Sequence, residues 1–175
     1  DLRVRHTLAV AELLRDIEAR TELLKVLDAY LDEFATFCRS VQVLGEVTPR
    51  AMDAISSLGE RMNARIVAAR MRQMGLRSEA VDATELIVTD RRFQQAAPLM
   101  DLTRARTQAR LLPLLEAGIV PVVTGFIGAT EDGITTTLGR GGSDYSASIL
   151  GAALDADEVW TWTDVDGVLT TDPRI

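Results

Sequence analysis

Lysine, histidine and cysteine are almost missing from this chain: Lys25, His6 and Cys38 are the sole examples of each in 175 residues. A lone cysteine makes no internal disulfide, and Cys38, set in a helical pattern, is expected to fill core rather than act as a nucleophile. One histidine excludes His-rich metal sites, and His6 has no Ser or Cys partner for triad chemistry. No apolar run reaches the roughly 18 residues of a membrane span, and the N-terminus lacks the layout of a signal peptide, so a cytoplasmic location is expected. No Gly-Lys-Ser/Thr run occurs, which disfavours a P-loop. Basic blocks are missing too. With 19 basic against 26 acidic residues, a formal charge of −7 and a pI near 4.8, the chain is not expected to bind nucleic acid.

What is present suffices for a real core: 47% of residues are hydrophobic, at a length that suggests one domain. From Thr7 to about Arg39 apolar residues recur at Val10, Leu13, Leu14, Ile17, Leu24, Leu27, Leu31, Phe34 and Cys38, the spacing of one long amphipathic helix or a helical pair. Thr48-Pro49 is a helix start, and the pattern then runs through Leu58, Met62 and Ile66 to a stop at Gly75. Beyond it the texture shortens. "SEAVDA" and "LIVT" read as strands around a capping box at Asp82–Glu85, Asp101 to Ala117 as a helix ended by Gly118, and "IVPVVTGFIG" as a β-rich run. "EVWTWTDV" reads as a further strand with Trp160 and Trp162 on one face, followed by a tight turn at "DVDGV". The alternation predicts an α/β fold, a three-layer αβα sandwich around a mostly parallel sheet. A helical segment over about 7–75 precedes an α/β segment over about 76–175.

The chemistry is expected where "VVTGFIG" delivers the chain to Gly125 and Gly128, and where Gly141-Gly142-Ser143 opens a helix from Asp144 to Leu154. Ligands of open α/β sheets bind outside the carboxyl ends of strands, and the N–H groups of a first helical turn favour an anion. Arg140 adds a planar fork for a carboxylate or phosphate, and Ser143 a hydroxyl. Asp144 either caps the helix or orients cationic groups around a reacting phosphate. A second polar cluster, "TWTDVDGVLTTDPRI", reads as a surface hairpin or as the lining of a nucleotide pocket. A third is "SSLGERMNAR", in which Ser57, Gly59 and Glu60 interrupt a helical pattern. Glu60 is either a solvated charge or a ligand group there.

Taken together, "GFIGATEDGITTTLGRGGSDYSA", "TDVDGVLTTDPR" and "LGEVTPRAMDAISSLGERMNAR" resemble the catalytic domain of the aspartate kinases, within the amino acid kinase family, over nearly the whole chain. The resemblance implies ATP-dependent phosphorylation of the β-carboxylate of L-aspartate, the step that opens the route to lysine, threonine and methionine. It assigns the substrate carboxylate to Arg140, helped by Ser143 and the Gly141-Gly142 backbone, and the α-ammonium to Glu60. Asp144 would organise the catalytic lysines, and Gly125, Gly128, Thr163, Asp164, Asp172 and Arg174 would face ATP. Positioning and charge neutralisation carry such a transfer, with Mg²⁺ borne by the nucleotide phosphates and no metal site in the protein. A homo-oligomer is implied as well.

The pattern departs from the family in places. A Lys-Phe-Gly-Gly-Thr-Ser type first strand, a lysine after Asp-Pro-Arg and C-terminal ACT regulatory domains are absent, and Leu169 stands where the family has Tyr. Lys25, on an amphipathic helix, does not replace the lysines. The expectation is a domain incomplete at both ends and inactive by itself. The alternatives are another kinase of the same fold, with glutamate or uridylate as acceptor, and a noncatalytic binding or assembly module.

Overall fold

The computed structural model describes residues 1–162. The N-terminal periodicity resolves into a helical pair, α1 (Leu2–Leu13) and α2 (Ile17–Leu44). The break falls where Asp16 caps α2, its carboxylate accepting the Ala19 N–H at 2.9 Å. Thr48 caps α3 (Pro49–Gln73) in the same way, with Pro49 in the first turn. Val10, Leu14, Leu23, Leu27, Leu31, Met62, Ile66 and Ala69 close a core among these three helices. Burial along α2 stops at Leu31, so Cys38 is exposed and fills no core, contrary to the expectation from its spacing. Gly59 does not interrupt α3. It is itself exposed, and a Cβ there would meet nothing within 4 Å.

Beyond α3 the chain forms β1 (Ser78–Val81), a 3-10 turn (Ala83–Glu85) and β2 (Val88–Thr89). Asp82 caps the turn through the Thr84 N–H, while Glu85 turns outward to Arg110 instead of closing a capping box. The "LIVT" strand is shorter than its composition suggests: Leu86 and Ile87 are fully buried, but pairing begins at Val88. Helix α4 (Met100–Glu116) ends at Gly118, whose φ of +67° favours glycine.

The run "IVPVVTGFIG" is two strands rather than one, β3 (Val120–Val123) and β4 (Ile127–Thr130), broken at Thr124–Phe126. β3 lies parallel to β1 and β4 parallel to β2, while β5 (Thr135–Thr137) returns antiparallel to β4. The last element is α5 (Gly142–Leu154). Side chains along β1 alternate between layers: Ser78 Oγ–H donates to Ala68 O of α3 at 2.7 Å, and Glu79 pairs with Arg110 of α4. Helix α3 therefore packs on one side of the strands, with α1 and α2 packed in turn on α3, and α4 and α5 lie on the other side; the strands form two small sheets, β1-β3 and β2-β4-β5, in a mixed α/β architecture with mostly parallel pairing. A second core, including Val81, Ile87, Leu111, Ile127 and Ile149, joins the strands to α4 and α5. Glu158–Trp162 forms no strand, because no edge pairs with it among the described residues. Trp160 and Trp162 stand exposed with ring centroids 6.4 Å apart.

Gly128 sits inside β4, where a Cβ would lie 2.8 Å from Ile87 O and 2.9 Å from Thr89 Cγ2. Backbone cannot yield there as a side-chain tip can. Gly128→Ala is expected to destabilise the fold by about 1–3 kcal/mol, read as a lower midpoint in urea unfolding.

Candidate active site

β5 ends at Thr137, and α5 begins after four intervening residues. Two of the four, Gly139 and Gly141, adopt φ of +80° and +73°, a left-handed backbone that makes the turn depend on glycine. No side chain caps α5, so its first turn offers backbone N–H groups and the positive end of the helix dipole to the space in front of it. Gly142 is required by packing: a Cβ there would lie 2.7 Å from Phe126 Cδ2. Phe126 itself has φ of +68°, held by its N–H donating to Ser146 Oγ at 2.8 Å, whose hydroxyl in turn donates to Gly142 O. Gly125 closes the same corner, its Cα against Ser143.

Opposite the turn runs one face of α3. Met52, Asp53, Ser56 and Glu60 share that face by helical spacing and line, with Gln94, Phe126, Thr137 and residues 139–144, a cleft of about 530 Å³. Asp53 is buried at its base and accepts four contacts from Gln94 and Thr137. Glu60 is half-buried and makes no hydrogen bond or ion pair among the described residues, and its burial pushes the carboxyl above the ordinary glutamate value. Its neighbour Arg61 anchors the helix. The Arg61 Nε lies 2.7 Å from Asp82 Oδ2, near enough for charge attraction though not aligned as a hydrogen bond, and an Nη donates to Thr135 Oγ1 at 3.2 Å. On the other wall Arg140 is exposed and has no acidic partner among the described residues. Among the described residues the cleft thus presents an unpaired carboxylate on one wall and an unpaired guanidinium beside an uncapped helix N-terminus on the other. That arrangement suits a zwitterion with an additional negative charge.

A larger concavity, about 680 Å³, lies between α2, α3 and Ala80. Its cations are already engaged: Arg72 donates to Ser78 O, and Arg65 donates to Arg61 O and stacks on Tyr30 at 4.9 Å. It has no glycine turn and no free helix N-terminus at its wall, so the smaller cleft is the better candidate for chemistry.

Comparison with family profiles matches residues 6–175 to the amino acid kinase family. The chain belongs to this family. Among curated relatives, the aspartokinase of Schizosaccharomyces pombe is 32% identical over 97% of the chain and 32% of its own length. Lysine-sensitive aspartokinase 3 of Escherichia coli is 35% identical over 94% of the chain and 38% of its own length. Among solved structures, Escherichia coli aspartokinase III in complex with aspartate and ADP superposes with a TM-score of 0.85 at 34% identity, covering 93% of this chain and 35% of that one. The chain spans about a third of the length of these relatives.

In this amino acid kinase chain, Glu60, Arg140, Gly141, Gly142, Ser143 and Asp144 come together on one cleft although up to 84 positions separate Glu60 from Asp144. Gly125 adjoins them through Ser143, whereas Gly128 is buried within β4 and does not line the cleft. Thr163, Asp164, Asp172 and Arg174, with the turn at "DVDGV", lie outside the described residues. Lys25 stands exposed on α2, paired with Glu22 at 2.6 Å, away from the cleft lining. Asp53, Phe126 and Thr137 lie within the quoted motifs but were not singled out as site residues, and Gln94 lies outside them. Asp53 carried a signal, since it precedes Glu60 by seven positions on one helical face. Among the described residues no group of three His, Cys, Asp or Glu is placed to hold a metal ion, and no helix is long and apolar enough to cross a membrane.

Proposed function

We propose that this chain is the amino-acid-binding part of an aspartate kinase, transferring the γ-phosphoryl of ATP to the β-carboxylate of L-aspartate. The observation that carries the reading is the cleft itself, with Glu60 and Arg140 both without a partner among the described residues and lining one space at the N-terminus of α5. Glu60 takes the α-ammonium. Arg140, Ser143 and the Gly141-Gly142 backbone take carboxylate. Support comes from the likeness to aspartokinases, one of them solved with aspartate and ADP.

In the transfer, a β-carboxylate oxygen forms a bond to the γ-phosphorus as the bond from that phosphorus to the bridging oxygen of ADP breaks. ADP leaves with the electron pair, and 4-phospho-L-aspartate remains. The attacking carboxylate is already deprotonated, so no general base is needed and placement of two anions is the main task. Gly125, Thr163, Asp164, Asp172 and Arg174 are assigned to the nucleotide, and Gly128 to the close approach of β2 and β4. Asp144 orients the cations around the phosphate. Mg²⁺ is assigned to the nucleotide phosphates, whose charge it would neutralise. A cytoplasmic homo-oligomer on the route to lysine, threonine and methionine belongs to the same reading. The one lysine of this chain is on α2, so this chain alone is expected to bind aspartate without turnover.

The test is an assay at full length with Mg-ATP, hydroxylamine and one acid at a time, because hydroxylamine traps an acyl phosphate as a hydroxamate. Hydroxamate with L-aspartate and ADP in equal amounts supports the reading. Product only with L-glutamate shifts the reading to another kinase of the fold, and none with any acceptor leaves a binding module.

A further inference from the structure

Asp53 is a carboxylate on the third helix, 1% exposed, and the one charged side chain of that helix that is fully buried. Such burial needs partners, because an unpaired buried charge is costly. It has them. Its Oδ2 accepts the Gln94 N–H at 2.9 Å and the Thr137 N–H at 3.1 Å, and its Oδ1 accepts the Thr137 hydroxyl at 2.8 Å and shares the Gln94 N–H at 3.2 Å. Two carboxylate oxygens offer about four acceptor sites, so none remains for a ligand ammonium. Asp53 is therefore not a second Glu60.

Its partners show what it does instead. Thr137 is the last residue of β5, and with its carbonyl accepting the Ala96 N–H at 2.9 Å every polar group it has is engaged just before the glycine turn. Gln94 has φ of +69°, unusual for a residue with a side chain, and its carbonyl lies 3.0 Å from where a Cβ on Gly139 would be. Backbone held in such a conformation persists only where its surroundings over-determine it. One side chain on α3 thus pins both the strand that feeds the turn and the loop that underlies it.

We propose that Asp53 is a positioning residue, which sets the Gly139–Asp144 turn at a fixed distance from Glu60 and so matches the cleft to its ligand. This rests on the reading of the cleft as an amino-acid site. On the helix, Asp53 and Glu60 are about 10 Å apart along the axis, so the same rigid element carries the pin and the ammonium anchor.

The experiment compares Asp53→Asn, Thr137→Val and Thr137→Ser with the parent protein by site-resolved amide exchange and by L-aspartate titration. Asparagine turns an amide donor toward the two N–H groups. Valine removes only the hydroxyl, and serine retains it. The proposal expects exchange at Gln94 and residues 139–144 to rise about tenfold or more in Asp53→Asn, with the α1–α3 core unchanged and L-aspartate affinity down by about tenfold or more. Thr137→Val should move both readouts in the same direction by less, and Thr137→Ser should restore them. Unchanged exchange in the turn, a uniform rise across the core, or a loosened turn with undiminished affinity overturns it. Should Asp53→Asn fail to fold, the same outcomes are read from Thr137→Val against Thr137→Ser. Should the parent protein not take L-aspartate, the substrate reading fails, and the exchange pattern still decides the positioning role.

Discussion

Arg140→Ala is expected to weaken L-aspartate binding to the cleft by roughly 100-fold while leaving thermal stability unchanged. The binding loss follows from charge-assisted hydrogen bonds, at about 1.5–3 kcal/mol for each contact to a charged group. The unchanged stability follows from the structure: Arg140 is exposed and has no acidic partner among the described residues, so its removal orphans no charge among them. Arg140→Lys retains the charge without the planar fork and recovers only part of the affinity. Calorimetric titration paired with thermal melts measures both quantities. A melting temperature that falls with the affinity would mean that Arg140 holds the turn together and does not itself grip ligand.

Glu60→Gln separates function from stability in the opposite sense, with binding falling by roughly tenfold or more while the melting temperature holds or rises. Burial raises the Glu60 pKa, so the folded chain holds the proton more tightly than the unfolded chain does. The contribution to stability is full below the unfolded pKa and is lost as pH rises through the raised folded value. Above that raised value the ionised Glu60 is therefore a cost to the fold, and glutamine relieves it. Binding shows the reverse dependence on pH. A ligand ammonium needs the ionised carboxylate, so affinity drops as pH falls through the raised value, and this drop disappears in Glu60→Gln. Titrations from neutral to mildly acidic pH, with melts at each pH, check both directions. A variant that melts lower and binds normally would place Glu60 among the structural residues.

The elements whose signals are local were legible in the sequence. Thr48-Pro49 starts α3, Gly118 stops α4, and the glycine turn before α5 forms where its composition puts it. Elements that depend on a distant partner were not. The "IVPVVTGFIG" run is apolar throughout, and nothing local shows that Val120–Val123 pairs with β1 and Ile127–Thr130 with β2. Glu158–Trp162 has strand composition but no edge to join among the described residues. Cys38 keeps the helical period of its neighbours, yet burial is set by what packs on α2, and that packing stops at Leu31. The same division runs through the site. Arg140 and Ser143 follow from a glycine-rich helix start, whereas the task of Asp53 emerges only when Thr137, 84 positions away, is brought against it.

The measurement that tests the cleft most directly is a titration of the protein with L-aspartate, followed through the backbone amide resonances of residues 139–144. If the cleft holds L-aspartate, saturable shifts centre on Gly141, Gly142 and Ser143, extend to Glu60, and need roughly 100-fold more ligand in Arg140→Ala. Shifts confined to the larger concavity around Arg65 and Arg72, or the same shifts at the same ligand concentration in Arg140→Ala, would contradict that assignment.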